Sequence, residues 1–291
     1  MTTQTIAAPA RPARGATPRR NLPRLRTVVL AGSAYVIGLV FLLPYLEMVI
    51  TALRPAGEIK DRDYLPHHFD FSNFTNIWST GLGTNLSVSL EIAVGSTVLV
   101  LLVAIPAAYY TARRDFRGKK LFLLLVLITQ MFQPTAMIVG IYREFLTFDM
   151  IDSVWALILV NAGFNMAFAV WILNAYFGAI PKEIEEAAVV DGCSRVGAMF
   201  RVIIPLAMPG IVTALIFTFI AAWNEFIVAL TLISSLNKQP LTVKTSDYIG
   251  QYSTDWQHLF AGSVIATIPV IILFALIEGK VVSGLTSGSV K

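Results

Sequence analysis

The chain has 291 residues, of which 56% are hydrophobic and only 14% charged, with a formal net charge of +4 at pH 7. Soluble domains carry about 45–50% apolar and about 25% charged residues, so this balance excludes a soluble domain as the main body. The small positive charge calls for no nucleic-acid partner, because basic residues facing anionic lipid headgroups account for it.

In chain order, residues 1–26 are rich in Ala, Pro and Arg and cannot supply a packed core. They are expected to be a flexible cytoplasmic arm ahead of a membrane domain over 27–291. The first apolar stretch, 28–53, is much longer than the roughly 7–15 residues of a secretory signal and reads as a retained span. Further stretches at 86–112, 121–142, 154–180, 211–234 and 259–282 each reach the roughly 20 residues needed to cross a bilayer as a helix. Runs such as LFLLLVLI lack the period-two alternation of a transmembrane barrel, so the fold class is an all-α membrane protein of about six transmembrane helices. Pro44, Pro106, Pro134 and Pro269 fall inside spans, where each removes a helical hydrogen bond and predicts a kink.

Lysine and arginine set the orientation. The N-terminal arm, the 113–120 connection, the 181–209 connection and the tail together hold sixteen of the 22 basic residues, all on one face. The other face receives Arg54, Lys60, Arg62, Arg143, Lys238 and Lys244. A multi-pass protein of the cell inner membrane with both termini cytoplasmic is expected.

The single cysteine, Cys193, excludes an internal disulfide. His67, His68 and His258 lie outside the spans, and the chain has neither an HExxH pair nor a G-x-x-x-x-G-K-[ST] phosphate loop. No catalytic or metal residues are expected, the chain is not an enzyme, and any ATP must be handled by another polypeptide.

Residues 181–209 read PKEIEEAAVVDGCSRVGAMFRVIIPLAMP, too polar to span and too patterned for a plain loop. Pro181 suits a first helical position, Glu183, Glu185 and Glu186 favour a helix N-terminus, and Gly192 can make the left-handed turn that stops the helix. Ser194 offers an N-cap for a second short helix carrying Val196, Phe200 and Ile203 on one stripe and ending before Pro205. Taken alone, such helices between spans are commonly interfacial elements.

The stretch EEAAVVDGCSRVGAMFRVIIPLAMPG resembles the cytoplasmic EAA loop of binding-protein-dependent ABC importers, with Glu186, Ala187, Ala188, Asp191, Gly192 and Pro205 on its pattern. AAYYTARRDFRGKK (107–120), AAWNEF (221–226) and GLTSGSVK (284–291) are similar to other parts of the carbohydrate-uptake branch, specifically a MalG-like permease subunit of the maltose type. Tyr110 departs from the smaller residue that relatives often carry there.

The resemblance implies a type I ABC importer permease fold, a cytoplasmic coupling helix-turn-helix docked on an ATPase, and half of a path for a sugar or related polar solute. It implies a second homologous permease subunit, two cytoplasmic ATPase subunits that bind ATP and Mg, and an extracytoplasmic solute-binding protein. Glu186 is the expected charge contact to the ATPase.

Polar residues inside spans point inward by default. Asn224, Glu225, Asn161, Asn165 and Gln133 are the expected solute-path residues, with Glu91, Gln130 and Asn174 as further candidates and Trp171, Trp223 and Phe226 nearby. The same residues also serve interhelical hydrogen bonding in many bundles. In the 235–258 loop, Tyr248, Gln251, Tyr252 and Trp256 are the expected contacts to the binding protein, and an interfacial aromatic belt is equally compatible with them. An ion-coupled carrier or channel is the alternative, although no internal repeat supports it.

Overall fold

The computed structural model describes residues 25–59, 63 and 65–287. The arm over 1–24 and the last four residues lie outside the described residues. The chain folds as two units, Met1–Leu46 and Glu47–Lys291. The described part of the first belongs to helix α1, Leu25–Ala52, which runs through Pro44 without a break.

The second unit is helical, with an isolated two-residue bridge as its β pairing among the described residues. After α2 (Ser72–Ser79), the 32-residue α3 (Leu82–Arg113) crosses in one piece with Pro106 inside it. Helices α4 (Lys119–Thr129) and α5 (Pro134–Thr147) follow, then α6 (Val154–Ala179). A polar segment carries α7 (Lys182–Val190), α8 (Arg195–Ala198), one π-helical turn at Met199–Ile203, and α9 (Ile204–Leu206). Helices α10 (Met208–Trp223), α11 (Ile227–Leu232), α12 (Leu241–Ser246) and α13 (Trp256–Ser287) complete the chain. Among the described residues, four helices are long and apolar enough to cross a membrane, and two bent pairs bring the possible total to six.

Helices α3, α6 and α10 form the centre. Ala93, Ser96, Val100, Ala104 and Ala108, spaced three or four apart on α3, are all buried. Val100, Ala104 and Ala108 of this line pack with Ala162, Ala169, Leu173 and Phe177 of α6 and Ile211 and Ala214 of α10, and Ala93 packs with Phe219 and Ala222 of α10. Lipid tails are as apolar as leucine, so close van der Waals approach rather than water exclusion holds such helices together. Gly210 marks the closest approach: a Cβ there would stand 2.3 Å from Cγ of Tyr176. The amide of Asn174 adds a bond to Thr111 Oγ1 at 2.7 Å. Around the N-terminal end of α3, the buried Asn85 donates to the carbonyls of Leu236 (3.0 Å) and Gln239 (2.7 Å), and Ser89 Oγ accepts the Leu241 N–H at 2.7 Å.

Three expectations change. The 121–142 stretch is not a kinked single helix: α4 and α5 meet at 94°, and Pro134 starts α5 instead of kinking a longer helix. Proline fits that first position because its missing N–H has no partner to lose there. The 211–234 stretch also breaks, at Asn224–Phe226, where both Glu225 oxygens accept the first free N–H groups of α11, from Val228 at 2.7 Å and Ala229 at 3.0 Å. An anionic cap of this kind stabilises a new helix start over continuation of the old one. Finally, the helix after Ser194 does not end before Pro205. Proline cannot donate to the preceding turn, and the π turn accommodates that gap, so the helix runs on to Leu206. The wider turn also splits the expected stripe, leaving Val196 and Phe200 exposed and Ile203 buried.

Candidate functional site

The 181–209 segment is built as a compact elbow. Helix α7 stops in a Schellman turn: Cys193 N–H reaches the Ala188 carbonyl at 3.0 Å and Gly192 N–H that of Val189 at 3.0 Å. Gly192 sits at φ +92°, a region that L side chains rarely adopt. Ser194 Oγ caps the next helix by accepting the Gly197 N–H at 3.1 Å. Asp191 and Pro205 occupy the α7 C-cap and the first turn of α9.

Two neighbouring glutamates divide two roles. Glu185 is held inside the chain: its carboxylate lies 3.1 Å from Nε of the buried Arg113 and accepts the Tyr109 hydroxyl at 2.5 Å. Arg113 Nη1 also donates to the Ile180 carbonyl at 2.7 Å, so the end of α3 grips both ends of the α6–α7 corner. Glu186 is exposed, as is Ala187, whereas Ala188 is buried. Val190, Val196 and Phe200 extend the exposed face with 85%, 64% and 61% of their surface open. Below it, a cavity of about 580 Å³ is bordered by Tyr109, Arg113, Arg114, Glu185, Glu186 and Arg195. The Arg113–Glu185 grip is not marked by spacing, since 72 residues separate the partners; only the placement of Arg113 at the end of an apolar run hints at it.

A second cavity, of about 240 Å³, opens at the α4–α5 break. It gathers four of the expected path residues, Gln133, Asn161, Asn165 and Glu225, together with Gln130. Asn224 is exposed at the C-cap of α10 and does not line the cavity; Glu91 is exposed on α3, and Asn174 is spent on Thr111. Asn161 and Asn165 each donate to the carbonyl four residues earlier on their own helix, at 2.9 and 2.8 Å, and Gln130 Nε2 reaches across to the Phe164 carbonyl at 3.1 Å.

In the 235–258 loop the chain turns back on itself between Ile249 and Thr254, with Gly250 N–H donating to Ser253 O at 3.0 Å. A Cβ on Gly250 would lie 2.6 Å from that same oxygen, so the turn requires glycine. The turn presents Gln251 and Tyr252, the latter 93% exposed, and Trp256 stacks on Phe260 while remaining open. Tyr248 is instead half-buried, bonding Thr80 Oγ1 at 2.8 Å and stacking on His258, and burial pushes its phenol up from the ordinary value. Among the described residues no group of His, Cys, Asp and Glu is placed to hold a metal ion.

Residues 79–282 match the family model described as the binding-protein-dependent transport system inner membrane component. The chain is 34% identical over 275 residues to the diacetylchitobiose uptake system permease protein DasC of Streptomyces coelicolor, covering 94% of this chain and 97% of that protein. It is 32% identical over 277 residues to the probable ABC transporter permease protein YurM of Bacillus subtilis, covering 94% and 92%. The fold matches a chain of the crystal structure of a bacterial ABC transporter involved in import of the acidic polysaccharide alginate, with TM-score 0.75, 23% identity, and 91% and 99% of the two chains covered.

Proposed function

Given that the chain belongs to the family of binding-protein-dependent transport system inner membrane components, we propose that it is a MalG-like permease subunit forming half of the path for a sugar or related polar solute. Its partners are a second homologous permease, two cytoplasmic ATPase subunits that bind ATP and Mg, and an extracytoplasmic solute-binding protein. Both termini are cytoplasmic in this reading. The similarity to a diacetylchitobiose uptake permease supports the solute class.

The observation that carries the reading is the elbow over 181–209. It leaves Glu186 and a row of apolar side chains exposed while Arg113 and Tyr109 fix the helix beneath them to the end of α3. A docked ATPase that moves α7 therefore moves α3 with it. Glu186 supplies the carboxylate for a charge-assisted bond to the ATPase, and Tyr252 and Gln251 supply the contact to the binding protein.

Cys193, the chain's single thiol, stands at the turn and reports docking without any substitution. Maleimide labelling of Cys193 is expected to slow at least five-fold when the ATPase subunits are added to membranes holding the permease pair. Unchanged labelling, or solute transport by the purified chain without ATP, overturns the reading.

A further inference from the structure

We infer that the cavity at the α4–α5 break is a subsite for one electrically neutral, hydroxyl-rich ring, and that it disfavours carboxylated, sulfonated and phosphorylated solutes. The inference rests on the importer reading and deepens it by naming the class of solute that passes this point.

The polar lining consists of Thr129, Gln130, Gln133, Asn161, Asn165 and Glu225, and no lysine, arginine or histidine is among the lining residues. An anion that shed its water here would meet no counter-charge, a desolvation cost that nothing offsets. Glu225 adds the opposite bias. Its two oxygens are occupied by the Val228 and Ala229 N–H groups, which fixes the carboxylate in place beside the cavity.

Neutral hydroxyls fare differently. Each can donate and accept, which matches the mixed donor and acceptor capacity of carboxamides. Asn161 and Asn165 bond back to their own helix instead of to a neighbour, so they do not hold the bundle together. Their side-chain oxygens, and the whole Gln133 amide, engage no partner among the described residues. Polar groups kept in a span without a packing duty are expected to serve the path. Phe132 and Phe164 complete the wall with apolar surface suited to the C–H face of a sugar ring. At about 240 Å³ the space falls below the roughly 300–1,000 Å³ of sites for drug-sized ligands, which suits a single ring and not a chain of them.

The test uses the full importer, permease pair with its ATPases and solute-binding protein, in liposomes. Cys193→Ser removes the native thiol and Gln133→Cys places one at the cavity. A neutral glycosyl methanethiosulfonate and the anionic sulfonatoethyl methanethiosulfonate are then compared, each rate divided by its rate with a small free thiol. The neutral reagent is expected to react at least ten-fold faster, and adding the exposed-site change Gln130→Lys is expected to cut the preference below two-fold. Equal normalised rates overturn the neutral subsite; should Gln133→Cys fail to assemble, Gln130→Cys, with Gln133→Lys as its charge change, gives the same readout. ATP dependence of uptake is measured on the parent importer over a panel of neutral disaccharides. Uptake without ATP dependence overturns the importer reading, whereas equal reagent rates with ATP-driven uptake intact overturn only the subsite.

Discussion

Two consecutive helix pairs bend sharply, and the two bends are built in opposite ways. Helices α4 and α5 turn by 94° across Gln130–Gln133, where Gln130, Phe132 and Gln133 are exposed and line a cavity. The Arg195–Leu206 helix turns by 75° into α10 at Ala207, where Ile203 and Ala207 are buried and Gly210 lies against Tyr176. Irregular backbone away from bulk water needs protein to cover it or a cavity for it to line, and each bend uses one of these solutions. The covered bend is a stiff elbow suited to passing on a displacement. The open one holds the proposed subsite.

If that contrast holds, the largest effect comes from loosening the covered side. Arg113→Ala leaves Glu185 without its counter-charge in a largely buried position, with only the Tyr109 hydroxyl remaining, a loss of up to about 3–5 kcal/mol in such settings. ATP hydrolysis by the assembled importer is expected to persist while uptake per ATP falls, and a combined hydrolysis and uptake assay checks it. An unchanged ratio would show that the grip on α7 transmits nothing. Next is Gly210→Ala, whose new methyl group meets the Tyr176 ring; overpacking of this kind costs about 1–3 kcal/mol, measured as a lower unfolding temperature in detergent.

The α5 arm of the open bend offers a pH readout. Asp152, at φ +60°, accepts from the Ser235 hydroxyl and N–H, from Ser234 N–H and from Lys238, and these bonds hold its carboxyl well below the ordinary range. A lowered folded-state value means the contribution is complete above the ordinary carboxylate pKa of about 3.9 and is lost as pH falls through the lowered value. The unfolding temperature should therefore be insensitive to Asp152 between pH 5 and 7 in the wild type and fall on further acidification; Asp152→Asn should lower it at pH 7 and flatten the acid limb. Smallest is Gln130→Ala, which removes the bond to the Phe164 carbonyl; interhelical bonds of this type average about 0.6 kcal/mol, so unfolding should barely move. A large loss there would mean that the open bend is as stiff as the covered one.

Much of this contrast has a sequence signal. Pro134 and Pro205 stand at or beside the two bends, and Gly192 with Ser194 marks the reversal that the structure contains as a Schellman turn and an N-cap. Glu225 three residues ahead of Val228 carried a readable cap signal as well, yet it was masked by the apolar run around it. Other features had no local trace. Glu185 and Glu186 are chemically identical neighbours, and which one meets Arg113 depends on the angle at which α7 leaves α6. Ile203 belongs with Val196 and Phe200 by helical spacing and is separated from them by a single π turn.

Span number, basic-residue asymmetry and the EAA-like pattern are properties of segments, because hydrophobic length and residue type act locally along the chain. The convergence of Gln130, Gln133, Asn161, Asn165 and Glu225 on one cavity is a property of three chain regions meeting. It follows from two helix breaks and from the close packing of small residues on α3 and α6, which only the folded bundle brings into register.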